Sequence, residues 1–352
     1  MSRIIGMTHR VKKTAEGASR PSLVAIEEPT GTQHLALEDE DAELSFIRTL
    51  QPEDRIAMIF GGSGDRFAAA ANRFGETVGA KVFRIPAFVV NQKRNGSTAD
   101  EDHLLLTKLY QQAPELFYEF RAADRSLVMA TEFFRVLMEA KRARIACEQR
   151  IRARLIGRIF CSAEGGYPEG KIEDVFDAEK ANDKILQGLA EEEKIRGRDL
   201  EKLIAKLPVY QHVFEKVTGC GPRIAGAIIA AVKDIRRFET PAKFVAFCGV
   251  HVSSEGGLPR RRIGKTSNWN PEARQALYLL GDQFNRRPAS TWGQRLLENK
   301  RLLRERHPEA IEVEGKKRYT DGHIHKMALW RTVTQFTNWL YVEWWKLERQ
   351  PA

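Results

Sequence analysis

The stretch "RIAMIFGGSGDRFAAAANRFGETVGAKVFRIP" (residues 55–86) decides the fold expected for the first third of the chain. An apolar run at 55–60 predicts a buried strand, and a second run at 81–86 predicts another. Between them, residues 65–79 place apolar side chains at helical spacing. A strand, a helix and a strand in this order are typical of an α/β fold.

The residues before this stretch predict three more strands and a helix. Apolar runs occupy 3–7, 22–28 and 34–38, and helical spacing occupies 40–50. The complete order is three strands, helix, strand, helix, strand. That order is expected of a ribonuclease-H-like (RuvC-like) α/β domain, which we place at residues 1–122.

A long basic helix is predicted beyond residue 122. Residues 125–160 contain no proline and carry an apolar stripe, while the other faces hold Lys141, Arg142, Arg144, Arg150, Arg152, Arg154 and Arg158. Residues 171–207 resume the helical pattern, so we expect a long helical hairpin, a coiled coil, over residues 123–207. Its basic side is either a track for phosphates or the solvated face of an antiparallel hairpin.

The third predicted domain, residues 208–352, is mainly α-helical and opens with "VTGCGPRIAGAIIAAV" (217–232). Gly219 and Gly221 can adopt positive φ and leave their amides uncovered, and Pro222 suits a first helical turn. The start of a helix with bare amides binds anions. The pattern therefore predicts a phosphate site in a helix-hairpin-helix-like element; the alternative is a tightly packed turn between helices.

Composition favours a soluble protein that binds polyanions. The 352 residues carry a net charge of +10, with 42% hydrophobic and 30% charged residues. No apolar run approaches the length of a membrane span. The four cysteines have no CxxC spacing, which argues against structural zinc and favours a reducing cytoplasm. We expect nucleic acid and no membrane among the partners.

A glycine- and arginine-rich segment, "GVHVSSEGGLPRRRIGK" (249–265), is the second candidate site. A serine there could attack a phosphodiester while guanidinium groups neutralise the developing charge. Together with the GxGP turn, this segment predicts a phosphate-binding surface that comprises Gly219, Gly221, Arg223, Arg260, Arg261, Arg262, Lys265 and Arg274.

Several short motifs in the C-terminal half resemble a known family in the same order. They are "TGCGP" (218–222), "DIRRF" (234–238), "FVAFCGV" (244–250), "SSEGG" (253–257), "RRRIGK" (260–265), "NPEARQALY" (270–278) and "HKMAL" (325–329). Over about 215–345 the chain resembles insertion-sequence transposases that join a RuvC-like DEDD domain to a C-terminal serine domain, a family related to the Piv DNA invertase.

The resemblance implies strand cleavage and rejoining of double-stranded DNA, with Mg²⁺ bound by the DEDD acids, a serine joined covalently to DNA, and a structured guide RNA. The serine falls on Ser254 or its neighbour Ser253. The first acid falls on Thr8 and the second on Gly61. The paired acids fall on Ala99 and Asp102, or on Asp100 and His103.

Most of the expected metal ligands are therefore replaced, which leaves two hypotheses. In the first, an active recombinase takes its catalytic and metal-binding carboxylates from Asp65, Asp100 and Asp102. In the second, a catalytically degenerate derivative binds nucleic acid and acts as a binding or regulatory protein. Capping of a helix by Thr98 or Asp100 explains the acids at 100–102 equally well. Paired DNA ends predict a homodimer or homotetramer.

Overall fold

The computed structural model describes residues 3–10, 19–29, 31–163, 172–251, 258–261, 263–264, 266–313 and 315–349. The chain divides into two compact units, Met1–Val128 and Met129–Ala352.

The first unit is an α/β domain. Its strands are β1 (Ile4–Thr8), β2 (Ser22–Glu28), β3 (Gly31–Leu37), β4 (Arg55–Ile59), β5 (Lys81–Ile85) and β6 (Tyr118–Glu119). Its helices are α1 (Glu40–Ile47), α2 (Gly64–Val78), α3 (Ala87–Lys93) and α4 (Asp102–Gln112). A short 3₁₀ turn, Ala99–Glu101, precedes α4. The five strands and two helices expected from the sequence are all present, with ends shifted by a few residues.

The six strands form one mixed sheet in the order β3-β2-β1-β4-β5-β6. Strands β1, β4 and β5 are parallel, whereas β2 is antiparallel to both β1 and β3. Alternate residues of the central strands enter different cores: Ile56 and Met58 pack with α1 and α2, while Ala57 packs with α4 on the other face. Burial on both faces explains the continuous apolar runs of these strands.

The second unit is almost entirely helical. Helix α5 (Ala122–Phe160) begins in the first unit, and it is followed by α6 (Ile172–Asn182), α7 (Lys184–Ile204), α8 (Pro222–Val232), α9 (Pro241–Phe247), α10 (Pro271–Arg286), α11 (Thr291–Arg306) and α12 (Asp321–Arg349). Strands β7 (Ile311–Val313) and β8 (Lys316–Arg318) form a hairpin between α11 and α12.

The aromatic-rich last helix supplies much of the core of this unit. Phe336, Tyr341 and Trp344 of α12 are buried, and Phe336 packs against Phe284 of α10. Trp330, Trp339 and Trp345 of the same helix are half-buried. No helix in the described ranges is long and apolar enough to span a membrane.

The basic side of α5 is largely neutralised within the hairpin. Four of its arginines form ion pairs with acids of the returning helices α6 and α7 or the residue before α7: Arg144 with Glu193, Arg152 with Glu173, Arg154 with Asp183 and Arg158 with Glu179. For these four side chains the structure favours the hairpin interpretation over a phosphate track. The sequence analysis missed this because the acids follow some 20–50 residues later.

Candidate nucleic-acid interface

The GxGP turn presents its amides at the start of helix α8. Gly219 has φ +92°, and the Cys220 amide donates to the Val217 carbonyl at 2.9 Å. Gly221 is the N-cap residue, no side chain caps the helix, and its first turn contains no acidic residue. Among the described residues, no acceptor is found for the amides of Gly219 and Gly221. Bare amides and the positive end of the helix dipole together favour an anion here.

The two glycines serve different purposes. A Cβ at Gly219 would need a left-handed backbone and would stand 3.0 Å from Gln283 Cβ. Gly221 has φ −68°, and a Cβ there would meet no atom within 4 Å. Gly219 is therefore required by the conformation of the turn. Gly221 is required by neither conformation nor packing, and its missing side chain keeps the helix start uncovered.

Arg223 follows directly in the first turn of α8. Its Nε lies 2.9 Å from a Glu201 carboxylate oxygen on α7, and 60% of the Arg223 side chain remains exposed. The guanidinium lies against Gly197, where an added Cβ would collide with Nη2. Arg223 is thus held by α7 with its charged end accessible to solvent, as a phosphate contact requires.

Three further cations surround the turn, and the sequence analysis identified none of them. Arg287 follows α10, and its side chain lies about 3.4 Å from where a Cβ of Gly219 would stand. Lys216 and Arg295 line a cavity of about 330 Å³ together with Thr218, Trp292 and Trp339. Arg287 and Arg295 lie close only because α10 and α11 pack beside the turn, so no local motif predicts them, whereas Lys216 precedes the turn directly in the sequence.

The predicted basic loop is described only in part. Arg260 and Arg261 are exposed, which suits a contact with phosphates. Ser253, Ser254, Arg262 and Lys265 lie outside the described residues. The roles assigned to these four residues stay predictions.

Arg274 is engaged with the protein itself. Its Nη1 donates to the Pro259 carbonyl at 2.7 Å, and its guanidinium lies over the rings of Trp269 and Trp330 at 5.1 and 5.3 Å. Burial lowers the pKa of Arg274. This arrangement holds Pro259 at the beginning of the basic loop. Arg274 therefore stabilises the predicted phosphate surface through its contacts within the protein.

The predicted carboxylates of the first unit are each paired with an arginine. Asp65 is buried, accepts the Gly61 amide at 3.0 Å and lies 3.4 Å from Arg84 Nη1. Asp102 is buried and accepts two hydrogen bonds from Arg94, at 2.8 and 2.6 Å.

Asp100 is exposed and contacts Arg20. Thr98 and Glu101 form a capping box, as the capping alternative expects. Within the described ranges, no three His, Cys, Asp or Glu residues are grouped so as to hold a metal ion. Arg94 contacts both carboxylate oxygens of Asp102, and one oxygen of Asp65 is held by Arg84 and the Gly61 amide, so these acids as they stand do not fit a two-metal site.

The second unit therefore combines a glycine-opened helix start with exposed cations, a combination found in proteins that bind the phosphate backbone of nucleic acids. Residues 211–291, which include the turn and the basic loop, match the family model of the Transposase IS116/IS110/IS902 family. This match supports an insertion-sequence transposase. No curated protein matches the chain.

Proposed function

We propose that this chain binds double-stranded DNA through the second unit, as an insertion-sequence transposase or a derivative of one. The observation that carries the proposal is the uncapped start of α8, where the amides of Gly219 and Gly221 lie beside Arg223 and Arg287. Amides and guanidinium groups are the donors that contact DNA phosphates. Such contacts carry no base specificity, so they would hold the backbone while other residues select the site.

The two architectural assignments from the resemblance are part of the same proposal. The strand order β3-β2-β1-β4-β5 with an antiparallel β2 supports a RuvC-like first unit. The Gly219-x-Gly221-Pro222 turn between the helical segment Tyr210–Phe214 and α8 supports a helix-hairpin-helix-like element. In that element the turn, rather than a helix face, would approach the sugar-phosphate chain.

The degenerate alternative is favoured for the first unit. Thr8 ends β1 where the family has an acid, and the nearby Asp65 is occupied by Arg84 and the Gly61 amide. Cleavage by Ser254 or Ser253 and a guide RNA remain predictions of the resemblance, and a homodimer or homotetramer remains a prediction from the helical hairpin and the pairing of DNA ends.

The proposal is tested by the salt dependence of binding. The purified chain is titrated into a fluorescent duplex between about 50 and 200 mM salt, and the slope of log K against log salt counts the phosphates contacted. We expect a slope of several units for the wild type. A chain that binds neither duplex nor structured RNA at the lowest salt would refute the proposal.

A second assay separates the active from the degenerate hypothesis. Flanking element DNA, Mg²⁺ and the element's own non-coding RNA are supplied, and covalent protein–DNA adducts are sought. The degenerate hypothesis expects full binding and no adduct. An adduct that disappears in Ser254→Ala and survives in Ser253→Ala would instead establish the recombinase and its serine.

A further inference from the structure

A serine, a histidine and a glutamate contact one another in series beside the carboxyl ends of the central strands β1 and β4 in the first unit. Ser63 Oγ lies 2.9 Å from His9 Nδ1, and His9 Nε2 lies 3.3 Å from Glu43 Oε1. His9 follows β1, Glu43 belongs to α1, and Ser63 stands between β4 and α2. Three separate elements thus bring together the residue types of a nucleophile, a general base and an orienting acid.

We infer that Ser63, His9 and Glu43 form a catalytic triad that hydrolyses small, uncharged carboxylic esters. The proposed hydrolysis requires no metal ion. It also goes beyond the DNA-binding proposal, because all the residues of that interface lie in the second unit.

Ser63 is presented as a nucleophile rather than as a helix cap. A serine at this position ordinarily uses its hydroxyl to cap the helix, yet Ser63 makes no capping hydrogen bond and contacts His9 instead. The preceding residues Gly61 and Gly62 have φ +112° and +67°. A glycine turn that carries a serine from a strand into a helix is the arrangement used for nucleophiles in α/β-hydrolases.

His9 is held in the tautomer that the reaction needs. Glu43 is buried and also accepts a hydrogen bond from Ser22 Oγ at 2.6 Å, which fixes its carboxylate. A carboxylate facing Nε2 places the proton on that nitrogen and leaves Nδ1 free to accept the hydroxyl proton. Gly64 permits this approach, since a Cβ there would stand 3.3 Å from His9 Cβ.

The adjoining cavity indicates the class of substrate. It measures about 210 Å³, and its apolar wall consists of Leu44, Ile47, Phe67 and Ala70. Its charged lining is balanced, because Arg10 and Arg66 are matched by Glu40 and Glu43. An apolar wall with no excess positive charge fits a short acyl chain better than a phosphodiester.

The reaction is a two-step acyl transfer. Ser63 Oγ forms a bond to the ester carbonyl carbon as its proton passes to His9 Nδ1, and the departing alkoxide then takes that proton as its bond to carbon breaks. Water next attacks the acyl-serine with His9 again as base, releasing the carboxylic acid and restoring the Ser63 hydroxyl. The dipole of α2, whose N-cap is Ser63, would stabilise the negative oxygen.

The test uses the full chain with two probes. An alkyl fluorophosphonate reacts with activated serines by forming an Oγ–phosphorus bond with loss of fluoride, and peptide mass spectrometry locates the adduct. Hydrolysis of p-nitrophenyl butyrate gives the rate. We expect one adduct, on Ser63, and loss of both reactions in Ser63→Ala, with a fall of at least about 100-fold in His9→Gln.

Glu43 is a positioning residue, so the effect of its variant is measured on kcat and KM separately. Glu43→Gln retains the acceptor for Ser22, and we expect it to lower kcat while leaving KM unchanged. Ser97→Ala is the matched control: Ser97 Oγ donates to the Arg94 carbonyl and faces no histidine in the described structure. Melting temperature and DNA binding identify any variant that fails to fold.

Three results would overturn the inference. One is a folded wild type in which Ser63 remains unlabelled. Another is hydrolysis that persists in Ser63→Ala. The last is faster turnover of bis(p-nitrophenyl) phosphate than of the butyrate ester. That result would identify a phosphodiester, not a carboxylic ester, as the substrate class. A purely structural Ser63–His9 contact predicts the first result.

Discussion

The guanidinium of Arg223 on α8 occupies the space that a side chain at Gly197 on α7 would fill. The same guanidinium is paired with Glu201, one turn further along α7. The absence of a side chain at position 197 therefore determines where the first cation of α8 lies, and with it one edge of the proposed DNA surface.

Gly197→Ala should displace Arg223 and weaken DNA binding with little loss of stability. The clash is with the end of a flexible side chain, and alanine favours a helix interior over glycine by about 1 kcal/mol. Gly188→Ala on the same helix is the control, since a Cβ there meets nothing within 4 Å. Thermal melting and duplex titration of both variants would check this. Equal duplex affinities of Gly197→Ala and Gly188→Ala would show that Arg223 does not contact DNA.

The two glycines of the turn should respond differently to alanine. Gly219→Ala forces a left-handed backbone onto alanine and should cost about 1–2 kcal/mol of unfolding free energy. Gly221→Ala should cost less than about 1 kcal/mol and still reduce DNA affinity, because its methyl group covers the helix start. Urea unfolding measures the first effect and duplex titration the second. Undiminished affinity in Gly221→Ala would argue for a turn that only packs helices.

The cations around the turn should change the salt dependence of binding. Replacing either Arg287 or Arg295 by alanine removes one phosphate contact and should reduce the slope of log K against log salt by roughly 1. Arg301→Ala is the control, because Arg301 lies on the same helix as Arg295 and is likewise exposed and paired with a glutamate. A slope that falls equally in Arg301→Ala would indicate a diffuse charge effect.

The predicted basic loop provides an independent check. Arg261→Ala should weaken binding and lower the same slope by roughly 1. Arg274→Ala should instead release the Pro259 carbonyl and disturb the loop, so we expect a loss of melting temperature as well. If Arg261→Ala leaves the slope unchanged, that side chain makes no phosphate contact.

Replacement of Asp100 and of Asp102 by asparagine should lower the free energy of unfolding by different amounts. Asp102→Asn breaks a buried, doubly hydrogen-bonded pair with Arg94 and should cost about 3 kcal/mol. Asp100→Asn should cost less than about 1 kcal/mol, because both partners of its ion pair are exposed. Urea unfolding with and without Mg²⁺ measures both. If Mg²⁺ stabilises the wild type and Asp102→Asn abolishes that stabilisation, Asp102 belongs to a metal site after all.

Local patterns predicted the elements of the first unit because both faces of its sheet are buried. The runs at 55–60 and 81–86 are apolar throughout, and the structure has β4 and β5 there. Strand ends were less well predicted. β3 begins at Gly31, ahead of the apolar run at 34–38, because its first residues are exposed and pair with β2 without apolar side chains.

The charged residues show the limit of such reasoning. The sequence presents Arg152 and Arg158 as a basic stripe and Asp65 and Asp102 as free acids. The folded chain pairs all four with partners between 8 and 21 residues away. A one-dimensional pattern shows which residues carry charge; it does not show which charges meet.

The sequence by itself determined the α/β order of the first unit, the helical second unit and the glycine-opened start of α8, because backbone preference and hydrophobic spacing act over a few residues. Only the tertiary structure decided that Arg287 and Arg295 stand beside that start, and that Ser63, His9 and Glu43 meet. His9 is 34 residues from Glu43 and 54 from Ser63, and Arg287 is 68 from Gly219; packing alone brings such residues within hydrogen-bond or Coulomb distance.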